Sequence, residues 1–293
     1  MNYIEDAELY IIKGFIGDLK EPYEGIYDKI PAATYHSWKA FSISNGLELL
    51  KSPGHYKYRI NNPLEQTPAM RLGTLVHERL LEPDSFKTKY KIVPEHIKDR
   101  RTKAYLELKK EAESVNKELI DADTARRIEA IYHAVMGRDC AGTLLRLDGQ
   151  SELSLVWDEN GTICKGRIDK YINGDKTLID IKTTTNASAE FFANTCFHRN
   201  YHVQAAHYAA GLAKHDMPVE NVVLIAIESE PPHGVAVYML NHRILEMGET
   251  KRQELFSILN MAQSTDNWDA YADAVIDLEI PNWVNYDNQI RVD

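Results

Sequence analysis

Apolar residues recur at helical spacing through the first half of the chain. Residues 68–81 show this spacing most clearly, because one side of the predicted helix is an apolar stripe. The pattern predicts four helices, at residues 44–52, about 68–81, 101–118 and 122–137. We expect Ser44 to be the N-cap of the first helix and Pro53 to end it.

Beyond residue 150 the pattern becomes typical of strands. Three stretches rich in β-branched and aliphatic residues follow one another, at 152–157, 163–172 and 177–183. They are separated by Asn160-Gly161 and Asn173-Gly174, dipeptides that favour tight hairpin turns. The sequence therefore predicts an antiparallel meander of three strands.

The remaining chain alternates helices and strands. Helices are predicted at about 187–196, 201–215 and 242–263, and strands at 222–228 and 234–240. The whole order predicts a mixed α/β (α+β) fold, in which helices flank a central mixed sheet that contains the meander.

Composition and charge exclude several classes of protein. The chain has 293 residues and 44% apolar content, which fits a soluble globular protein. Its apolar runs are far shorter than the roughly 20 residues that cross a membrane, and its acidic N-terminus lacks signal-peptide features. We therefore expect a cytoplasmic location and no membrane partner. Three cysteines without a CxxC pair cannot hold a four-cysteine iron–sulfur cluster.

The net charge of −10 argues against a general nucleic-acid coat protein, which would be basic. It allows an enzyme that holds cations in an acidic site and touches DNA through local basic patches. One such run is "KDRRTK", whose basic residues are Lys98, Arg100, Arg101 and Lys103. We predict contacts from this run to the DNA backbone, with a solvated loop as the alternative.

Two aspartates stand in neighbouring predicted strands. Asp169 lies in "GRIDKY" and Asp180 in "LIDIKTT", and hairpin pairing brings them together. Lys182 shares a strand face with Asp180, because side chains two residues apart point the same way. Two carboxylates and the backbone carbonyl of Ile181 suit a hard divalent cation, Mg²⁺ or Mn²⁺. The alternative that stays open here is a set of ordinary surface ion pairs.

Four more residues are candidates for the same site. Gln204 and Tyr208 share one helix face at positions i and i+4. His77 follows Gly73 by one helical turn, and glycine would let another group approach that helix closely. Glu152 opens the first strand of the meander and is the weaker candidate.

The motifs "GTLVH", "GRIDKY", "LIDIKTT" and "QAAHY", in this order, resemble the motif series of the PD-(D/E)xK nuclease superfamily. They are most similar to the branch with an upstream histidine and a downstream QxxxY pair, which includes RecB-like nuclease domains. The stretches "SISNGLELLKSPGHYKY", "TPAMRLGTLVHERLLEPDSF", "YHVQAAHYAAGL" and "IPNW" resemble the nuclease domain of RecE-type exonucleases (exodeoxyribonuclease VIII) of phages and prophages.

This resemblance spans about residues 35–285 and implies a restriction-endonuclease-like core. It implies a single nuclease domain at residues 36–285, between an N-terminal extension at 1–35 and a C-terminal tail at 286–293. His77, Asp169 and Asp180 match the metal ligands of the family, with the Ile181 carbonyl as a further contact. Glu152 is the weakest match.

The resemblance also implies roles for the residues that do not bind metal. Lys182 matches the catalytic lysine that orients the attacking water. Gln204 and Tyr208 match the QxxxY pair, which supports the active site and the DNA backbone. Ser44 and Ser52 flank a predicted helix, where a terminal phosphate could bind near the helix N-terminus; a plain N-cap is the alternative for Ser44.

The implied activity is that of a Mg²⁺-dependent exodeoxyribonuclease. It would digest linear double-stranded DNA in the 5′→3′ direction and leave 3′ single-stranded overhangs for recombination. The implied partners are DNA ends, further copies of the chain in a ring such as a tetramer, and a single-strand annealing protein. The implied location is the cytoplasm of a bacterial host cell.

Two other functions stay open. A structure-specific or RecB-like endonuclease could use the same fold and the same residues. A non-catalytic DNA-binding or assembly protein is the alternative from another class, although the complete Asp-Asp-Lys set favours an enzyme.

Overall fold

The computed structural model describes residues 22–280 and the backbone of the strand Ile11–Ile12. The predicted tail at 286–293, most of the predicted extension at 1–35 and the last three residues of "IPNW" lie outside the described residues. Within the described ranges, no helix is long and apolar enough to cross a membrane.

Ten strands are present in the described part of the chain. In chain order they are β1 (Ile11–Ile12), β2 (Gly25–Tyr27), β3 (Phe41–Ser42), β4 (Tyr90–Ile92), β5 (Glu118–Ile120), β6 (Gln150–Glu159), β7 (Thr162–Ile172), β8 (Thr177–Thr184), β9 (Asn221–Glu228) and β10 (Val235–Met239). The main sheet has the order β1-β2-β6-β7-β8-β9-β10, with β3 paired to β7, while β4 and β5 form a separate ladder.

Eleven α-helices surround these strands in the described residues. They are α1 (Ala32–Ser37), α2 (Ile43–Gly46), α3 (Pro53–Asn61), α4 (Pro68–Leu81), α5 (Pro83–Lys89), α6 (Lys103–Ser114), α7 (Ala122–Met136), α8 (Asp139–Arg146), α9 (Ala189–His198), α10 (Tyr201–Ala213) and α11 (His242–Thr265). A short 3-10 helix, Leu47–Leu50, follows α2.

The predicted mixed sheet is confirmed. The strands β6, β7 and β8 pair antiparallel as the expected meander. The helices α9 and α10 then carry the chain back so that β9 pairs parallel to β8, and β10 returns antiparallel to β9. Such a parallel pair needs a crossover connection, which the two helices supply.

The sheet is buried on both faces, and strand β8 shows how. Leu178 packs into the core under α10 and α11, while Ile179 and Ile181 pack into a second core under α4, α7 and α8. Because side chains alternate along a strand, Asp180 and Lys182 point toward α10. Packing on both faces explains why the sequence of this strand is almost continuously apolar.

The prediction for residues 44–52 is wrong in its boundaries. The first turn is α2, which begins after Ser42 and contains Ser44, so Ser44 is not an N-cap. Pro53 opens α3 instead of ending a helix, and the Ser52 hydroxyl caps it by accepting from the His55 N–H at 3.1 Å. Proline is well suited to the first helical position, where its missing N–H costs nothing.

The described part of residues 1–35 is built into the sheet. Strand β2 pairs antiparallel with β6. The buried Lys165 ammonium donates hydrogen bonds of 2.9 and 2.8 Å to the carbonyls of Tyr35 and Trp38, which satisfies the C-terminal end of α1. Arg167 donates to the Ile30 carbonyl at 2.6 Å. Parts of residues 25–35 therefore pack against β6 and β7 of the sheet, and the division of the chain between residues 35 and 36 stays a prediction.

We predict that Gly248→Ala destabilises the protein, although alanine normally favours a helix by about 1 kcal/mol over glycine. A Cβ at Gly248 in α11 would lie 2.3 Å from the backbone oxygen of His202 in α10. Helices α10 and α11 would have to separate, at a cost of roughly 1–3 kcal/mol in the free energy of unfolding, measured by urea denaturation. Gly174→Ala, which meets no atom within 4 Å, is the control. An unchanged or raised stability of Gly248→Ala would contradict this packing.

His207 predicts a pH dependence of stability. Its ring is fully buried among Trp157, Phe41 and Phe256, and neither ring nitrogen has a hydrogen-bond partner in the described residues. Burial, helped by Arg252, lowers the pKa of His207 to about 3. Below about pH 6.5, His207 is protonated in the unfolded chain but stays neutral in the folded chain. The free energy of unfolding therefore decreases as the pH falls below about 6.5.

Between pH 7 and pH 5, wild type should lose about 2 kcal/mol more unfolding free energy than His207→Leu, which carries no titrating ring. Urea denaturation of both proteins at the two pH values measures this difference. Equal losses would show that His207 is not held neutral in the core.

Candidate metal-dependent active site

The site is formed where strands β7 and β8 separate. They pair from Ile172 and Thr177 only as far as Lys170 and Ile179, after which β7 stays with β6 while β8 stays with β9. The Asp169 carboxylate lies in the opening and accepts the Ile181 N–H at 2.6 Å. A side chain thus replaces the missing ladder partner. Because the N–H and C=O of a strand residue point to the same side, the Ile181 carbonyl also faces this opening.

Helix α4 brings His77 to the opening from one face of the sheet. Its Nδ1 lies 3.3 Å from Asp169 Oδ1. One turn earlier, a Cβ at Gly73 would lie 3.4 Å from the Thr183 hydroxyl of β8, which is an ordinary van der Waals contact. Helix α4 therefore lies close to β8 at this turn, but an alanine would also fit, so a special role of the glycine stays a prediction.

Glu152 joins the same cluster through an irregular backbone. Strand β6 pairs Ser151 with Lys170 and Leu153 with Ile168, but Glu152 itself, which stands opposite Asp169, is not a ladder partner. Its φ of 53° is in the left-handed region, which costs a non-glycine residue about 1–3 kcal/mol. Each of His77, Glu152 and Asp169 offers a ligand atom, and these atoms lie within 4.8 Å of one another.

Burial and mutual repulsion perturb the charges of this cluster. Burial and the neighbouring Asp169 raise the pKa of Glu152 to about 7. Burial disfavours a charged His77, but the surrounding carboxylates outweigh it and raise its pKa to about 9. Burial also opposes ionisation of Asp169, yet His77 and the Ile181 N–H hold the pKa of Asp169 below its usual value. Asp169 is therefore ionised beside a protonated His77, and a metal ion bound here would replace the His77 proton.

The opposite face of the opening carries a chain of polar contacts. The Lys182 ammonium lies 2.6 Å from Asp180 Oδ2 and donates to Gln204 Oε1 at 2.7 Å. The Gln204 amide in turn donates to the Tyr208 hydroxyl at 2.9 Å. Burial disfavours the charged lysine, but Asp180 and Asp169 outweigh it and raise the pKa of Lys182. The lysine is therefore held as an ammonium in a fixed position.

Asp180 is the least satisfied polar group of the site. Burial raises its pKa, and Asp169 adds to this effect while Lys182 opposes it. Its Oδ2 is buried and has no aligned hydrogen bond, even though Lys182 is close. The Asp180–Lys182 contact is therefore an ion pair of poor hydrogen-bond geometry, and this oxygen keeps a lone pair for another ligand.

These donors fit a divalent metal ion. Carboxylate oxygens, a strand carbonyl and an imidazole suit a hard or borderline cation. Several acidic groups held together in a buried place are costly unless a positive charge compensates them. The residues that would hold the ion are Asp169, Asp180 and the Ile181 carbonyl, with His77 and Glu152 on the α4 side.

The structure does not bring the other candidates to this site. The exposed basic residues of "KDRRTK" lie in the loop before α6 and at its first residue, Lys103. Arg101 pairs with Asp99 at 3.0 Å and Lys103 with Glu107 at 3.6 Å. Ser52 is buried, and its hydroxyl is engaged in capping α3. Ser44 is exposed. A role in DNA binding for these residues stays a prediction.

Sequence reasoning missed Tyr201. Its ring covers the Lys182 ammonium, with 4.6 Å between Nζ and the ring centroid. The signal was its spacing, because Tyr201, Gln204 and Tyr208 stand at i, i+3 and i+7 on one helix face. The QxxxY motif includes only Gln204 and Tyr208.

A mixed sheet flanked by helices, with an Asp-Asp-Lys set where two strands separate, defines a restriction-endonuclease-like domain of the PD-(D/E)xK type. The chain belongs to the family described as "PDDEXK-like domain of unknown function (DUF3799)", whose model matches residues 42–276. Nucleases of this superfamily generally use divalent metal ions. No curated protein sequence matches the chain.

A solved structure of similar architecture agrees with this fold. A crystal structure of a candidate exonuclease from Eubacterium rectale covers 86% of this chain and 96% of its own, with a TM-score of 0.56 and 13% identity. At that identity the likeness concerns the fold alone. The structure of SSO0001 covers 62% of this chain and 86% of its own at 17% identity. Its TM-score of 0.27 is too low to indicate a shared fold.

We predict that Mn²⁺ or Mg²⁺ stabilises the folded protein through this cluster. An ion at 100 times its dissociation constant adds about 2.7 kcal/mol to the free energy of unfolding. Thermal unfolding with the ion or with EDTA measures the effect. Asp169→Asn, whose oxygen can still accept the Ile181 N–H, should lose most of the stabilisation, and the exposed Asp175→Asn should keep it. If the ion stabilised Asp169→Asn and Asp175→Asn equally, it would bind at another site.

Proposed function

We propose that the protein is a Mg²⁺-dependent exodeoxyribonuclease that digests linear double-stranded DNA. The observation that carries the proposal is the opening between β7 and β8, where Asp169 accepts the Ile181 N–H and the neighbouring Asp180 pairs with Lys182. This set suits hydrolysis of a phosphodiester, which needs a cation at the phosphate and a positive group beside the attacking water. The family description supports a nuclease of the PD-(D/E)xK superfamily.

The ion, when bound, would polarise the phosphate and make a water molecule more acidic. The residues of the chain supply position and charge. Asp169 and Asp180 would hold the ion, while the Ile181 N–H fixes the Asp169 carboxylate. Lys182 would orient the attacking water and stabilise charge on the phosphate. Gln204 fixes the lysine, and Tyr208 fixes Gln204.

The finer features of the proposal come from the resemblance to RecE-type exonucleases. They are 5′→3′ digestion, 3′ overhangs for recombination, a ring of copies around DNA, a partner annealing protein and a phage or prophage origin in a bacterial cytoplasm. The description of the Eubacterium rectale structure as a candidate exonuclease is consistent with an end-dependent enzyme. An endonuclease on the same fold is the rival that uses the same residues.

We predict that Lys182→Ala folds normally and lowers the cleavage rate at least about 100-fold, because the charge beside the attacking water is lost. The assay uses linear duplex DNA and covalently closed circular DNA, each with Mg²⁺ or with EDTA. Lys214→Ala, which removes an exposed lysine at the end of α10, is the matched control and should cleave as wild type does.

Mg²⁺-dependent loss of linear DNA alone, absent in Lys182→Ala, would support the proposal. Cleavage of the covalently closed circular DNA would indicate an endonuclease instead. Cleavage that persists in Lys182→Ala would overturn the site. End-labelled duplexes, with the label at the 5′ or the 3′ terminus, then give the direction of digestion.

A further inference from the structure

Lys182 is held from more directions than its two polar contacts. The ammonium donates a hydrogen bond to Gln204 and forms an ion pair with Asp180 that lacks an aligned hydrogen bond. The ring of Tyr201 lies over the same nitrogen at 4.6 Å. A lysine side chain is long and flexible, so two contacts alone leave it several rotamers. The ring covers one side of the ammonium and so restricts the positions that the side chain can reach.

The position of Tyr201 is itself fixed by the fold. Asn200, just before α10, adopts the left-handed conformation with φ of 57°, and the Lys251 ammonium donates to its side chain at 2.9 Å. This turn makes Tyr201 the first residue of α10. Phe192 of α9 packs near the tyrosine ring, with 6.3 Å between centroids. The helices α9 and α10 and the turn at Asn200 therefore fix the position of the Tyr201 ring, independently of Lys182.

The hydroxyl of Tyr201 has no such anchor. It makes no hydrogen bond to the described residues, in contrast with the Tyr208 hydroxyl, which receives the Gln204 amide. What Tyr201 offers the lysine is therefore the face of its ring. A cation over an aromatic face is attracted by the ring quadrupole, most strongly where water is excluded.

We propose that Tyr201 is a positioning residue for the reaction, which holds the Lys182 ammonium toward the opening through the face of its ring. The inference rests on the proposed function, because it assigns Tyr201 to the same site. It extends the functional stripe of α10 by one turn, to Tyr201, Gln204 and Tyr208. Removing the ring should free the lysine, whereas removing only the hydroxyl should not.

The first experiment is independent of activity. Wild type, Tyr201→Phe and Tyr201→Leu are treated with limiting acetic anhydride, and acetylation of each lysine is followed by peptide mass spectrometry. In Tyr201→Leu the rate at Lys182 should rise roughly five- to thirtyfold, the equivalent of losing one partly desolvated cation–π contact. In Tyr201→Phe it should stay as in wild type. Lys165, which is buried against α1, is the internal control in every sample.

The second experiment measures kcat and KM on linear duplex DNA with Mg²⁺. Tyr201→Leu should lower kcat by about the same factor with little change in KM, and Tyr201→Phe should keep kcat. Leu49→Ala loosens the same core in the 3-10 helix that packs against α3 and α11. It should lower the unfolding temperature and leave both kcat and the Lys182 acetylation rate near wild type.

The outcomes separate this inference from the proposed function. Equal effects of Tyr201→Phe and Tyr201→Leu would overturn the role of the ring, and so would an effect of Leu49→Ala as large as that of Tyr201→Leu. An unchanged acetylation rate at Lys182 in Tyr201→Leu would overturn it as well. If wild type cleaves no DNA but the acetylation contrast is present, the proposed function fails while the placement of Lys182 by Tyr201 stands.

Discussion

The separation of β7 from β8 is the constraint on which the rest of the site depends. Once the ladder ends at Lys170 and Ile179, backbone groups of β8 lack a strand partner in a buried place, where an unpaired group is costly. The Asp169 carboxylate takes the Ile181 N–H and so stabilises the opening that it also lines. The same residue is thus a structural substitute for a strand and the central ligand of the proposed metal site.

The two faces of the sheet contribute different chemistry to this opening. Helix α4 brings a histidine against the carboxylates of Asp169 and Glu152, which repel each other. Helix α10 brings the Gln204 amide and the Tyr201 ring to Lys182, which fix a positive charge. A phosphate between them would meet a cation on one side and an ammonium on the other. Such preorganised charge is the main means by which enzymes stabilise phosphate in reaction.

Much of this arrangement follows from local pattern. Alternation along β8 places Asp180 and Lys182 on one face, and helical spacing places Gln204 and Tyr208 together, whatever surrounds them. The elements carrying these residues were predicted for the same reason, because both are strongly periodic. The errors fell where the signal is short or ambiguous. Pro53 can follow one helix or open the next, and strands of two or three residues such as β2 and β3 have no period to detect.

The sequence by itself determined the fold class, the meander and the set of residues that could share a site. Only the tertiary structure decided how they meet. It turned Glu152 toward Asp169 through a left-handed backbone, set Tyr201 over Lys182, and engaged Ser52 in a helix cap instead of leaving it free. The reason is physical, since periodicity fixes the face on which a side chain lies, whereas distances between elements depend on packing across the whole core.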